Sequence, residues 1–274
     1  MEELRQLQML QLKLACEVKR ICEKHNISYF LEAGSCLGAV RHNGFIPWDD
    51  DLDMGMLRPE YERFIEACKS ELSDEYFLQT NDTDENFGYV FAKLRLNGTH
   101  YTEKIAKDSG SNDGIYIDIF PYDRIPGNAG LRNRTGYKVR YYSLLLRIKC
   151  KYKPWIYNGG IKEWVKYAPF RFLSVFYSKK GLISRINTIM KKYNETDEPL
   201  VTLCDNLSYN KTFYKYEVVK NLKPHVFEGE IFTIPSDTDS YLTATYGADY
   251  MTPPPENMRD STHKIINVDF GRYA

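Results

Sequence analysis

The sequence predicts an α/β protein, a mixed α/β core followed by a basic, aromatic helical region, on three observations. Over the first 130 residues, short hydrophobic runs of strand length alternate with stretches whose apolar residues recur every three or four positions. Between Leu131 and Lys192, sixteen Lys or Arg stand against a single acid, Glu163, in a chain whose 37 basic and 37 acidic residues otherwise cancel. The same block is rich in aromatics, among them Tyr141, Tyr142, Trp155, Trp164, Phe172 and Phe176. With 274 residues, 43 % of them hydrophobic and 27 % charged, the chain has material for a large core, which excludes disordered, collagen-like and disulfide-stapled classes.

Residues 2–24 read as a helix, because Leu4, Leu7, Leu10, Leu14, Val18 and Ile21 make one apolar stripe between acidic and basic ends. Ile27 to Ala33 reads as a strand, followed by Gly34-Ser35, a short helix to about His42 and an Asn43-Gly44 turn. A second strand is expected over Asp51–Met56, then a helix from Pro59 to about Leu72 with proline in its first turn. Tyr76–Thr80, Tyr89–Leu96 and Ile115–Phe120 read as further strands. The 131–192 block is helical with breaks near Pro154, Gly159-Gly160 and Pro169. Glu230–Ile234 is a strand, followed by a helix capped by Ser236 and ended at Gly247, with an extended tail beyond Pro253-Pro254-Pro255. No run of eighteen apolar residues occurs, so no transmembrane helix is expected, and Met1-Glu2-Glu3-Leu4-Arg5 does not read as a secretory signal. The six cysteines, Cys204 among them, form no CxxC pair, and a reduced cytoplasmic setting is expected.

The dense polar event is Pro47-Trp48-Asp49-Asp50-Asp51-Leu52-Asp53. Along a strand Asp51 and Asp53 point the same way, and two carboxylates so placed repel unless a cation lies between them. Carboxylate oxygens suit Mg²⁺ or Mn²⁺. Upstream, a strand–Gly34-Ser35–helix junction would aim backbone N–H groups and a hydroxyl at a phosphate. Asp118, between Ile117 and Ile119, needs a partner or a metal if buried. Each feature alone has a plain structural explanation, and their ordered combination points to a metal–phosphate site. The acid run lacks the glycine of an EF-hand loop, Gly34-Ser35-Cys36-Leu37-Gly38 is not a nucleophile elbow, and there is neither a Walker loop nor a dinucleotide fingerprint. Cys36 reads as a packed residue rather than a nucleophile.

The order strand–Gly-Ser, Asp-x-Asp, hydrophobic–Asp–hydrophobic resembles the nucleotidyltransferase superfamily. The run from Leu31 to Asp53, with Phe91-Ala92-Lys93-Leu94-Arg95, Tyr116-Ile117-Asp118-Ile119-Phe120-Pro121 and Tyr246–Pro255, is similar to the LicD family of phosphotransferases, which also includes fukutin-like proteins. The resemblance implies an enzyme with a nucleotidyltransferase-like core over residues 1–130, a helical acceptor or membrane-surface region over 131–205, and a segment at 206–274 packing back on the core. It implies transfer of phosphocholine from CDP-choline to a sugar of a cell-surface glycan such as teichoic acid or lipopolysaccharide, with ribitol or glycerol phosphate as the alternatives. By matching motifs, Asp51, Asp53 and Asp118 are the expected metal-binding and catalytic carboxylates, with Asp49 and Asp50 as further ligands. Gly34 and Ser35 become phosphate contacts, while Lys93, Arg95, Arg41 and His42 are candidates to neutralise a diphosphate. Trp48, Tyr116 and Tyr122 are candidates for a cage around a quaternary ammonium. The expected setting is cytoplasmic, peripheral at an anionic membrane, with no nucleic-acid partner. The competing reading is a non-catalytic glycan- or membrane-binding protein on a dead transferase fold, against which the intact Gly-Ser, Asp-x-Asp and Asp118 argue.

Overall fold

A computed structural model describes residues 2–156, 159–203, 209, 211–259 and 263–274. Cys204 lies outside them. The first helix, α1 (Glu2–His25), buries Leu7, Leu14, Val18 and Ile21, the stripe predicted from its spacing. Strand β1 (Phe30–Leu31) is far shorter than the predicted 27–33 run, because α2 (Ala33–His42) already begins at Ala33 and Glu32 turns inward. Strand β2 (Asp53–Leu57) leads directly into α3 (Arg58–Glu71), which has its proline in the first turn. Next come β3 (Tyr76–Gln79), β4 (Ala92–Leu96), β5 (His100–Glu103) and a ten-residue strand, β6 (Tyr116–Ile125).

Helices α4 (Ala129–Lys149), α5 (Ile161–Ser174) and α6 (Lys179–Met190) form the basic region. Pro169 does not break α5, contrary to expectation; the break falls after Ser174, and the side chain of Ser178 caps α6 by accepting from Gly181 N. The chain then adds β7 (Leu200–Leu203), β8 (Tyr214–Lys215), α7 (Tyr216–Lys220), β9 (Leu222–Phe227), β10 (Glu230–Pro235), α8 (Thr238–Tyr246) and β11 (Ile265–Asp269). Asp237, not Ser236, caps α8, its carboxylate accepting from Ser240 N.

The main sheet runs β1-β2-β6-β4-β3, with β7 on the far end of β6 and β8 on β7. The β2–β6 pair is parallel and the others are antiparallel, so β6 is the spine of a mixed sheet. Apolar residues of β2, β4 and β6 join α1, α3 and the 219–242 segment in one core. A second cluster gathers Phe87, Val90 and Phe91 with Val139, Leu145, Leu146, Leu182 and Ile186 of α4 and α6. Two further two-stranded pairs, β9–β10 and β5–β11, flank the sheet. Among the described residues no helix is long and apolar enough to cross a membrane.

Candidate active site

Sheet register builds the centre of the site. Asp53 of β2 pairs with Asp118 of β6, Asp118 with Lys93 of β4, and Lys93 with Gln79 of β3. In-register residues of neighbouring strands share a face, so these four side chains form one polar row across the sheet. Lys93 Nζ lies 2.7 Å from Asp118 Oδ1, 3.8 Å from Glu103 Oε1 and 3.3 Å from the centre of the Tyr116 ring. Arg95 donates to Gln79 Oε1 and to the carbonyl of Gly114, both at 2.5 Å. Burial raises the carboxyl of Asp118, against the pull of Lys93. Burial also raises Asp53 well above the usual carboxylate range, helped by the charges of Asp51 and Asp118.

Beside the row lies the acidic loop. Carboxylate oxygens of Asp49, Asp50 and Asp51 lie within 4.8 Å of one another. The loop hangs from α1, where buried Gln8 donates to the carbonyl of Asp49 at 2.9 Å and buried Gln11 to that of Asp50 at 2.8 Å. With the carbonyls of Asp49 and Asp50 taken by α1, the strand starts two residues later than predicted, at Asp53, whose N–H donates to Ser35 Oγ at 2.9 Å. Asp51 and Asp53 are thus brought together by a loop running into a strand rather than by alternation. Asp49 is pushed up to about 8 by burial and then by Asp51 and Asp50. Gly34 lies beneath it, where a Cβ would sit 3.0 Å from Asp49 Oδ2 and press on that carboxylate.

Three acidic or basic groups that the sequence reading did not select complete the cluster. Glu32, fully buried, accepts from Tyr122 Oη at 2.9 Å and Tyr241 Oη at 3.3 Å, and burial lifts it to about 7 despite those bonds. Glu103 accepts from Tyr116 Oη at 2.9 Å. His263 Nδ1 lies 3.3 Å from Asp50 Oδ1 and 3.8 Å from Asp51 Oδ2. Burial opposes a charge on His263, yet its bond to Asp50 and the charges of Asp51 and Asp50 raise it to about 9. Asp50 also accepts from Tyr101 Oη at 2.7 Å, so its carboxylate is held from two sides. Glu32 was legible next to Gly34-Ser35; Glu103 and His263 arrive through the β5–β11 pairing, which has no local sequence signal.

The other expected residues divide. Of the N–H groups at the start of α2, Ala33's donates to Tyr241 Oη, and those of Ser35 and Cys36 donate to the Glu32 carbonyl. The expected outward cradle of N–H groups is therefore spent largely within the chain, and Ser35 serves the backbone of Asp53. Lys93 and Arg95 are buried at the base of the site. Arg41, His42 and Trp48 form a separate group: the Trp48 ring centre is 6.0 Å from the Arg41 guanidinium, 4.7 Å from that of Arg259 and 6.5 Å from the His42 ring. Two of the three cage candidates have their rings engaged within the fold. Tyr116 carries Lys93 on its ring, and Tyr122 packs between Phe30 and Tyr214.

The cluster is rich in carboxylates and holds Lys93 and His263 as its close cations. Its oxygen donors and the upward shifts of Asp49, Asp53 and Asp118 fit a hard divalent cation. A cavity of about 230 Å³ opens beside it, lined by Tyr89, Lys93, Arg95, Tyr101, Glu103 and Tyr152. A larger groove of about 470 Å³, along α4, shares no residue with the acid row and belongs to the basic helical surface.

Carboxylates opposed on paired strands, above a buried lysine and beside a cavity, make a site built for charge-neutralised group transfer. Residues 26–142 match the family model described as LicD/FKTN/FKRP, nucleotidyltransferase domain. The chain is 30 % identical over 268 residues to the lipopolysaccharide cholinephosphotransferase LicD of Haemophilus influenzae, covering 95 % of this chain and 96 % of that protein. It is 28 % identical over 102 residues to the mouse ribitol 5-phosphate transferase FKRP, covering 37 % of this chain and 18 % of that protein. An uncharacterised Rickettsia prowazekii protein is 46 % identical over 103 residues, 31 % of this chain and 37 % of its own length. The chain belongs to the LicD family. It is an enzyme, a phosphotransferase for substituted phosphate groups.

Proposed function

We propose that the protein transfers phosphocholine, or a similar substituted phosphate, from a CDP-linked donor to a sugar hydroxyl of a cell-surface glycan such as teichoic acid or lipopolysaccharide, using Mg²⁺ or Mn²⁺. The observation that carries this reading is the Asp53–Asp118 pairing beside the Asp49–Asp51 loop. Asp51, Asp53 and Asp118 would hold the metal, with Asp49 alongside; Asp50, tied to Tyr101 and His263, positions the loop. When bound, the metal supplies charge neutralisation on the donor diphosphate and on the departing nucleoside monophosphate. Lys93 holds Asp118 in place and leaves it two ways to act: sharing the metal, or accepting the proton of the attacking hydroxyl. The Arg41–Trp48–Arg259 group, at the edge of the acidic loop, offers cations and a ring face to the nucleotide half of the donor. The enzyme would work in the cytoplasm, peripherally at the inner membrane face.

Ribitol or glycerol phosphate is the second reading, favoured by the covered faces of Tyr116 and Tyr122, which leave them no place against a quaternary ammonium. A donor screen with CDP-choline, CDP-ribitol and CDP-glycerol, read by ³¹P NMR in the presence of an acceptor glycan, tests both. The expected products are CMP and a phosphodiester-linked head group. Pyrophosphate from CTP, with no CMP from any CDP-linked donor, would overturn the reading.

A further inference from the structure

Helix α5 carries two apolar faces. Tyr167 and Phe170 turn inward, Tyr167 toward Trp155 and Phe170 toward Tyr141 of α4. Ile161, Trp164, Val165 and Phe172 fall on another side at helical spacing, and Val175 and Phe176, in the turn just past the helix end at Ser174, continue the apolar run. That run is exposed, with Ile161 at 81 %, Phe172 at 65 % and Phe176 at 69 % of full accessibility. Isolated exposed apolar residues are ordinary, whereas a run of six, three of them aromatic (Trp164, Phe172 and Phe176), marks a surface that meets something. Lys162, Lys166 and Lys180 are exposed around it, within the 131–192 block that holds sixteen basic residues and one acid.

We propose that α5 and the turn after it dock the enzyme on an anionic bilayer, the Ile161–Phe176 run entering the headgroup boundary and the flanking lysines lying on anionic phosphates. The proposal rests on the peripheral location given above but not on the donor chemistry. An apolar stripe between basic flanks is the arrangement of a helix lying in a membrane interface. The block's single acid, Glu163, lies 3.3 Å from Lys166 and is already engaged there. A second copy of the same face would bring like charges together.

The test uses the full chain with vesicles of phosphatidylcholine alone or mixed equally with phosphatidylglycerol. Co-sedimentation is expected with the mixed vesicles only, weakening about tenfold or more as salt rises from about 0.05 to 0.5 M. Trp164 emission should shift to the blue on binding, and Trp164→Phe should remove most of that shift. The triple variant Trp164→Ser/Phe172→Ser/Phe176→Ser should retain less than about a tenth of the binding. Lys162→Gln and Lys180→Gln should each weaken it roughly fivefold. All variants should keep the wild-type circular dichroism and the wild-type rate of CMP release from a soluble donor, so a failed docking idea and a failed activity read separately. Absence of vesicle binding by the wild type, full binding by the triple variant, or a concentration-dependent dimer that the triple variant abolishes would each overturn the proposal.

Discussion

Arg58 grips Asp123 with two parallel hydrogen bonds, Nε to Oδ1 at 2.8 Å and Nη2 to Oδ2 at 2.5 Å, where α3 meets β6. Both side chains are buried, and Asn194 Nδ2 adds a third bond to the same carboxylate at 2.6 Å. The alternation of β6 puts Asp123 on the sheet face opposite Asp118, so this pair braces the sheet without entering the site. Removing one partner leaves an uncompensated buried charge. Arg58→Met is therefore expected to lower unfolding stability by about 3–5 kcal/mol in urea titrations, with Arg58→Met/Asp123→Leu recovering part of it.

Asp53 behaves in the opposite sense. Its carboxyl is held up by burial and by Asp51 and Asp118, so Asp53→Asn relieves repulsion in metal-free protein. The EDTA-treated variant should melt at or above the wild-type temperature while CMP release falls by about a thousandfold or more. A variant with near-normal turnover in Mg²⁺ would remove Asp53 from the metal site.

His263 sets a pH dependence. Against its burial, Asp50 and Asp51 hold it up to about 9 against 6.5 ordinarily, so this pairing stabilises the fold fully below about pH 6.5. That stabilisation is lost as pH rises through about 9. In metal-free protein the melting-temperature gap between wild type and His263→Gln should be widest near pH 6 and close by about pH 10. A gap independent of pH would mean that His263 contributes packing alone.

Gly38 tests how α2 locates the acidic loop. A Cβ at this position would lie 2.5 Å from the carbonyl oxygen of Gly44, in the turn that leads to Pro47. Gly38→Ala should cost about 1–3 kcal/mol of stability, and because the strain lands on the loop, turnover should fall as well. Calorimetry beside an activity assay checks both.

The elements that bury a long periodic face were legible in the sequence. Leu7 to Ile21 gave α1, and the strand–Gly34-Ser35–helix order located α2 and the acids after it. Strands β5, β7, β9 and β11 were not: His100–Glu103 has little apolar content and pairs with β11 far along the chain, while Lys223, Pro224 and His225 interrupt the pattern of Leu222–Phe227, which pairs with the neighbouring β10. In the site, Asp51 and Asp53 are legible as paired carboxylates and Asp118 as an acid between apolar strand residues, while Asp49 and Asp50 come with the same acid run. Lys93 was visible as a charge, but its ion pair with Asp118 exists only through the β4–β6 register. His263 lies in a tail read as extended, and only the β5–β11 pairing returns that tail to Glu103.

The two glutamines of α1 that hold the carbonyls of Asp49 and Asp50 make the opening helix a ruler for the chemistry, although it supplies no reacting atom. Affinity handles, fusions and shortened forms at this end therefore act on the spacing of the acids. An N-terminally trimmed protein that keeps its sheet and its solubility could still be silent in an assay, and the silence would report a slackened loop, not a missing catalytic group.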